Sequence, residues 1–319
     1  MRLSFAPQIK FTLLFIVSLW PCAELLFPQE NTGRNIPHSI PFETVMPSSF
    51  QDTKPNVIQD STRSLSPFYE KLSMLQNPVD TGKTVVRIVH IGDSHVRSHE
   101  FTPALHLRLT EVFGNAATGF IEGYKSGGIL EESDSSGIIC HCIGINGATS
   151  QNFMDDKYMT ELQQLKPDLI IISLGTNESF NRYDSASHYD AMDSLFSMLK
   201  NYCPEASILY TTPQGSFKAI YRRYRKHKRI YRRVIRIEEN MNMEKVVSTI
   251  ATFAAAHHVA CWDLFHIVGG EKYACKNWLS GNYFQRDRVH FIRDGYALQG
   301  NLLYEAIMNG YNEYITKNE

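Results

Sequence analysis

Short apolar runs alternate with longer stretches of helical periodicity along most of this 319-residue chain. The apolar runs span 85–91, 138–145, 168–174, 207–210 and 259–262, and the helical stretches span 101–113, 151–165, 189–202, 241–257 and 296–314. Strands separated by helices of about 12 or more residues are joined by right-handed crossovers and form parallel sheets covered on both faces. The pattern therefore predicts an α/β protein with three layers, α/β/α, around a mainly parallel central sheet.

The first 23 residues have the order of a secretory signal. Arg2 and Lys10 precede the apolar run 11–20, and the small-residue segment 21–23 follows it. The run is shorter than the roughly 20 residues that cross a bilayer. We therefore predict that residues 1–23 are a signal peptide or an N-terminal anchor, and that the protein is exported to the periplasm or the outer envelope.

An irregular arm is predicted between this leader and the folded domain. Residues 24–66 are rich in Pro, Ser, Thr, Asn and Gln and follow neither a helical nor a strand period. Apolar residues then recur at helical spacing from 66 to 76, which predicts a short helix that leads into the core. We place one folded domain at 67–319.

Charge and cysteine usage exclude two classes of function. The chain has 32 Lys and Arg against 33 Asp and Glu, so no global field attracts nucleic acid, and we expect no nucleic-acid partner. Apart from Cys22 in the leader, five cysteines remain, an odd number without C-x-x-C spacing. We therefore expect neither a zinc site nor an essential disulfide.

Four turn motifs follow strands of the predicted sheet or precede its last helix. Gly92-Asp93-Ser94 ends the first apolar run and places a serine where a helix can begin, and the second turn, 144–149, holds Gly147. The third, Gly175-Thr176-Asn177-Glu178, ends the 168–174 run. Each of these turns is by itself more typical of a helix cap or a glycine turn than of a catalytic group.

The fourth motif is Asp287-x-x-His290, near the C-terminus. A carboxylate three positions before a histidine reaches the far nitrogen of that imidazole, fixes its tautomer and stabilises its charged form. Because reactive groups gather at the carboxyl ends of parallel strands, we expect the four motifs to meet at one edge of the sheet.

In this order the four motifs resemble those of the SGNH (GDSL-like) hydrolases, whose blocks supply Ser, Gly, Asn and His. The resemblance covers about 87–314 and implies the flavodoxin-like SGNH fold and a serine esterase without metal or cofactor. It implies a catalytic Ser94 with the base pair Asp287 and His290. It also implies an oxyanion hole of the Ser94 and Gly147 backbone N–H groups and the Asn177 side-chain amide.

Within that group, the chain is most similar to bacterial peptidoglycan O-acetylesterase-like proteins. The shared segments are His-Ile-Gly-Asp-Ser-His at 90–95, Gly-Thr-Asn-Glu at 175–178, and Asp-Arg-Val-His-Phe-x-x-x-Gly-Tyr at 287–296. They suggest that His95, Glu178 and Arg288 contact substrate. Some members insert a carbohydrate-binding β-domain between the first two blocks, for which the 53 positions from Ser94 to Gly147 leave no room. Glycan affinity must then come from elsewhere.

Other histidines compete weakly with His290 as the base. His95 adjoins Ser94, but neighbours on a strand-to-helix turn point in different directions, so we interpret it as a structural or substrate-side contact. His257 and His258 end a predicted helix, where capping or packing is usual. His99 has no carboxylate at useful spacing.

A basic run from Lys218 to Arg236 contains ten lysines and arginines, interleaved with tyrosines. A charge run of this kind is usually a solvated helix or loop face. Its concentration nonetheless favours a partner surface from Arg222 to Arg236 for an anionic polymer or a membrane.

The sequence thus predicts an esterase that removes O-acetyl groups from an O-acetylated glycan substrate of the cell envelope, such as peptidoglycan. A polysaccharide O-acetyltransferase or a plant-glycan acetyl esterase with the same triad remains open, as does a non-catalytic glycan-binding envelope protein. A lipase is disfavoured, because lipases usually present a broad apolar entrance and the residues near the motifs are polar.

Overall fold

The computed structural model describes residues 37–76, 82–118, 130–180, 182–226 and 229–318. These residues belong to the unit Asn35–Glu319. The predicted leader 1–23 and the first part of the arm lie outside the described residues, and the predicted domain boundaries stay a prediction.

The central sheet confirms the predicted fold class. It contains five parallel strands: β1 (Val85–Gly92), β4 (Gly137–Gly144), β5 (Leu169–Ser173), β6 (Ser207–Thr211) and β9 (Ala260–Trp262). Their spatial order is β4-β1-β5-β6-β9. This is the flavodoxin-like order, in which the chain reverses direction across the sheet between β1 and β5.

Helices cover both faces of the sheet. In chain order they are α1 (Ser66–Gln76), α2 (Ser94–Arg97), α3 (Phe101–Phe113), α4 (Asp156–Leu165), α5 (Ser185–Tyr202), α6 (Met243–Ala256), α7 (Leu264–Ile267), α8 (Gly270–Ser280) and α9 (Arg293–Asn318). Successive side chains of β5 point to opposite faces of the sheet, which shows how the layers form. Leu169 and Ile171 pack into the core under α1, α3 and α9. Ile170 and Ile172 pack into the core under α4, α5 and α6. Both faces of the strand are apolar because both are covered.

The described part of the arm packs against the sheet edge and α9. The backbone of Gln59 pairs with that of Cys261 on the edge strand β9, through N–H···O bonds of 2.8 and 2.9 Å. The Asn56 side chain accepts a hydrogen bond from the buried Trp262 indole at 2.9 Å and donates to the Leu302 carbonyl at 2.8 Å. The arm thereby closes an edge that would otherwise expose unpaired backbone groups.

The basic run forms a β-hairpin rather than the solvated helix or loop face that is usual for a run of charge. β7 (Phe217–Lys226) and β8 (Arg229–Glu239) pair antiparallel with each other, outside the central sheet. A second small ribbon pairs β2 (Ala117–Thr118) with β3 (Glu131–Glu132). The described cysteines, from Cys140 to Cys275, are buried and form no disulfide with one another. Among the described residues, no helix is both long and apolar enough to cross a membrane.

Candidate active site

The candidate nucleophile lies at the carboxyl end of β1, beside the point where the strand order reverses. Gly92 ends the strand, Asp93 caps α2 by accepting the His95 N–H at 2.8 Å, and Ser94 is the first residue of that helix. A side chain at Gly92 would place its Cβ 2.6 Å from the Ser173 carbonyl of the neighbouring strand. Glycine is therefore required there, and the chain turns sharply enough to leave Ser94 partly exposed.

The structure brings Ser94, His290 and Asp287 into one hydrogen-bonded line. The Ser94 Oγ lies 2.9 Å from His290 Nε2, and His290 Nδ1 lies 2.7 Å from Asp287 Oδ2. When Nδ1 carries the proton and donates it to the carboxylate, Nε2 is free to accept from the serine hydroxyl. This is the geometry of a nucleophile, a base and a group that orients the base.

The loop that carries the base is held by its own aspartate. Asp287 Oδ1 accepts the backbone N–H groups of Val289 at 2.9 Å and His290 at 3.0 Å. Partial burial acts to raise the pKa of Asp287, but the hydrogen bonds from the His290 ring and from these two N–H groups outweigh it and lower that pKa. The carboxylate therefore stays ionised beside the imidazole, as its orienting role requires.

Asn177 ties the first three motifs together. Its Nδ2 donates to Asp93 Oδ2 at 3.2 Å and to the Ala148 carbonyl, next to Gly147, at 2.9 Å. Gly147 is exposed and has φ +74°, a left-handed conformation that favours glycine. Both of these contacts use the Asn177 amide as the donor, so the amide must release one protein acceptor before it can donate to a substrate oxygen.

Two buried carboxyl groups lie behind these donors. Asp93 is 1 % exposed, and burial, followed by the nearby charge of Glu178, raises its pKa to about 7 against several hydrogen bonds that act to lower it. Glu178 accepts the Ser150 N–H at 3.3 Å, and burial raises its pKa too. Its other oxygen, Oε2, is buried without a hydrogen-bond partner. Glu178 is enclosed rather than open to a substrate.

The two other predicted substrate contacts differ in exposure. His95 is 4 % exposed, with Nδ1 3.1 Å from the Tyr296 hydroxyl and Nε2 3.1 Å from Gln214 Nε2. Burial lowers the pKa of His95 to about 3, so the ring is neutral, and its centroid lies 5.3 Å from that of His290. These contacts favour the structural interpretation of His95. Arg288 is partly exposed, between Asp287 and His290.

The competing histidines have other partners. His257 stacks on Phe253 with centroids 4.1 Å apart and lies 3.3 Å from Asp193. His99 Nδ1 lies 3.8 Å from the Cys142 sulfur.

Sequence reasoning missed a second Asp-x-x-His pair, in which His266 Nδ1 lies 2.7 Å from Asp263 Oδ2. Its Nε2 faces a Glu244 carboxylate at 3.4 Å instead of a hydroxyl, so the pair has no nucleophile to activate.

Sequence reasoning also missed the polar residues that support the strand ends. His90 Nε2 lies 2.7 Å from the Ser173 hydroxyl, which lies 2.7 Å from that of Thr211. This chain of hydrogen bonds links β1, β5 and β6 just below the turns that carry the site.

Among the described residues, no group of three or more His, Cys, Asp or Glu side chains could hold a metal ion.

Comparison with known proteins assigns this chain to a known class, the acylhydrolases. The chain belongs to the GDSL-like lipase/acylhydrolase family, whose model matches residues 132–298. That range includes Gly147, Asn177, Asp287 and His290, whereas Ser94 precedes it.

A solved structure shares the fold at low sequence identity. A peptidoglycan O-acetylesterase structure is 19 % identical, with a TM-score of 0.62, and the match covers 80 % of this chain and 99 % of the other. A GDSL-like lipase from Bacteroides thetaiotaomicron is 18 % identical, with a TM-score of 0.44, covering 77 % of this chain and 99 % of the other. No curated protein matches the chain.

Proposed function

We propose that this protein is a serine esterase that removes O-acetyl groups from a cell-envelope polysaccharide such as peptidoglycan. The observation that carries the proposal is the line Ser94 Oγ, His290 Nε2, His290 Nδ1, Asp287 Oδ2, with separations of 2.9 and 2.7 Å. Membership of an acylhydrolase family supports the reaction class. The shared fold with a peptidoglycan O-acetylesterase motivates the choice of substrate.

The triad accounts for both halves of the reaction. His290 Nε2 takes the hydroxyl proton as Ser94 Oγ attacks the ester carbonyl carbon, and the tetrahedral intermediate then expels the sugar oxygen, which receives that proton from His290. The acetyl group stays on Ser94. A water molecule, deprotonated by the same imidazole, attacks the acyl-enzyme, acetate leaves, and the proton returns to Ser94.

The developing oxyanion needs donors that are already in place. The Ser94 N–H is available because the first N–H groups of a helix have no acceptor within that helix. The Gly147 N–H and the Asn177 amide complete the proposed set. Asn177 contributes when one of its hydrogens turns from Asp93 or Ala148 towards the substrate oxygen.

The test is hydrolysis of p-nitrophenyl acetate, butyrate and longer esters by the chain without residues 1–23. Acetate should be the best substrate, and Ser94→Ala and His290→Ala should each lower kcat by about 10⁴-fold or more. His266→Ala is the matched control, because it removes the histidine of the other Asp-x-x-His pair. It should leave the rate unchanged.

A rate that Ser94→Ala does not alter would refute the assignment of the nucleophile. If the triad is confirmed, release of acetate from O-acetylated peptidoglycan and from acetylated xylan should be compared next. Faster release from xylan would favour a plant-glycan esterase over an esterase acting on peptidoglycan.

We also propose that the leader 1–23 directs export, which places the enzyme in the compartment of such a glycan.

A further inference from the structure

The basic hairpin formed by β7 and β8 is anchored at both ends to the catalytic loops. At its start, the Phe217 N–H donates to the Arg288 carbonyl at 2.9 Å, between Asp287 and His290. Beyond its end, Asn240 Nδ2 donates to the Ser179 hydroxyl at 2.7 Å, two residues after Asn177. The hairpin therefore begins at the rim of the candidate active site.

Aromatic packing fixes this base. The Phe217 ring packs edge-on against Phe284, with centroids 5.7 Å apart, and the Arg288 guanidinium lies 5.4 Å from the Phe217 centroid. Phe217 is buried, whereas the described side chains from Tyr221 to Glu238 are exposed. At roughly 3.3 Å per residue, the ten residues of β7 extend about 33 Å.

The exposed part of the hairpin carries an uncompensated positive charge. From Phe217 to Glu239 there are ten lysines and arginines against two glutamates, in a chain with almost no net charge. The register places Arg222 directly opposite Arg233, and like charges in that position destabilise a strand pair. Arg236 is paired with Glu238 at 3.0 Å, but in the described part of the chain Arg222, Arg223 and Arg233 make no ion pair.

Aromatic side chains lie among these arginines. Tyr224 and Tyr231 face each other across the hairpin, with stacked rings 5.6 Å apart, and they are 47 % and 40 % exposed. The register puts them on the same face as Arg222 and Arg233. Arginine binds carboxylates with paired hydrogen bonds, and tyrosine supplies a large, rigid contact surface with a polar end.

We propose that the hairpin binds a carboxylate-bearing polysaccharide and holds it so that its acyl groups reach Ser94. This inference rests on the proposed esterase function and adds the charge of the substrate to it. A polymer can occupy the site and the hairpin at once, because the two are continuous through Phe217 and Arg288. The carboxylates of such a polymer also provide the counter-charge for the arginines that face each other across the hairpin.

The distribution of side chains favours a polymer over a membrane. Elements that lie on a bilayer separate an apolar face from a charged one. Here the face with Tyr224 and Tyr231 also carries Arg222, and the opposite face carries Tyr221 together with Arg223. Both faces mix charge with aromatic surface, which suits a flexible chain that contacts either side.

Binding is tested with the full-length chain carrying Ser94→Ala, so that the polymer is not consumed. Its Kd for O-acetylated polygalacturonate, which is anionic, is compared with that for O-acetylated xylan, which is neutral. The anionic polymer should bind about tenfold more tightly at an ionic strength of about 0.01 M. The difference should vanish at about 1 M, where the Debye length falls from roughly 30 to 3 Å.

A charge-matched pair of variants locates the effect. Replacing Arg222, Arg223, Arg225 and Arg233 by Gln should weaken binding to the anionic polymer about tenfold, since several modest ion pairs act together. The same exchange at four exposed lysines of α4, α5 and α8 removes equal charge and should leave binding unchanged: Lys157, Lys200, Lys272 and Lys276. In the active chain, the ratio of kcat/KM on the anionic polymer to that on p-nitrophenyl acetate should fall with the arginine variant and not with the lysine variant.

Equal binding of both polymers, or an equal loss in both variants, would overturn the proposal. Tighter binding to anionic lipid vesicles than to the polysaccharide, weakened in the arginine variant and not in the lysine variant, would replace it with a membrane contact. Inactivity towards p-nitrophenyl acetate together with intact, salt-sensitive polymer binding would refute the esterase function and leave the hairpin assignment standing.

Discussion

Asp93 is the residue whose substitution should change the pH dependence of stability most clearly. Its carboxyl group is 1 % exposed, and burial raises its pKa to about 7. Asp93→Asn removes the ionisable group while keeping a residue type that caps helices equally well. The Asn oxygen can still accept the His95 N–H that Asp93 accepts at 2.8 Å.

The magnitude follows from proton binding. An unfolded Asp loses its proton near pH 3.9, whereas the folded chain keeps this proton up to about pH 7. Between these values the folded state binds one proton more than the unfolded state, so stability falls as the pH rises. Between pH 5 and about pH 7, the free energy of unfolding falls by roughly 1.4 kcal/mol for each pH unit. Above about pH 7 both states have lost the proton, so the total fall from pH 5 to pH 8 is about 3 kcal/mol. Asp93→Asn should not show this fall.

Urea unfolding of both proteins at pH 5 and pH 8 measures the effect. The free energy of unfolding of the wild type should fall by about 3 kcal/mol more than that of Asp93→Asn over this interval. Asp155→Asn is the control: Asp155 caps α4 through the same type of hydrogen bond, accepting the Lys157 N–H at 2.8 Å, but it is exposed. If wild type and Asp93→Asn lose the same free energy between the two pH values, the reasoning from the buried proton is wrong.

Three further experiments test the site and its support. Asn177→Ala should lower kcat on p-nitrophenyl acetate about 10²–10³-fold, as the loss of one oxyanion donor does, with an unchanged far-UV spectrum. Gly175→Ala should lower the melting temperature more than Gly147→Ala, because both have positive φ but only a Cβ at Gly175 would lie within 2.9 Å of side-chain atoms. Asn56→Ala should cost about 1–3 kcal/mol in urea unfolding, since it leaves the buried Trp262 indole N–H without its acceptor.

Regular periodicity made much of the fold predictable. The 101–113 helix and the 66–76 helix coincide with α3 and α1, and the strand predicted at 85–91 is β1 with one more residue. In each case the buried residues repeat at the period of the helix or strand, so the pattern of apolar residues predicts the type and the position of the element. The motifs were found for a related reason: the carboxyl ends of parallel strands converge on one edge.

The hairpin was missed because its sequence lacks that signal. Its residues alternate between arginine and aromatic or aliphatic types on both faces, and it packs against no core that would impose one apolar face. A run of charge then resembles a solvated helix. The second Asp-x-x-His pair, Asp263 and His266, was likewise overlooked, and spacing alone cannot separate it from Asp287 and His290. The two pairs differ in the group that faces the Nε2 atom of the imidazole: a serine hydroxyl for His290 and a carboxylate for His266. Only the fold determines which group lies there.

The contacts of Asn177 with Asp93 and Ala148 join three segments that are distant in sequence, and no local pattern encodes them. The same holds for the burial of Asp93, which depends on the neighbours that close over it. The sequence therefore predicts the residues of the candidate site, whereas the contacts between them and their protonation depend on the folded structure.

The 196 positions between Ser94 and His290 have a consequence for how the protein is made. Synthesis proceeds from the amino end, and early segments can begin to fold before the later ones emerge. The serine and the strands of the central sheet are therefore synthesised before the loop that carries His290. Until that loop has docked, the nascent chain has a nucleophile without a proton acceptor. The hydrogen-bonded line of Ser94, His290 and Asp287 therefore forms late, when the segment 196 positions after Ser94 has been made and has docked.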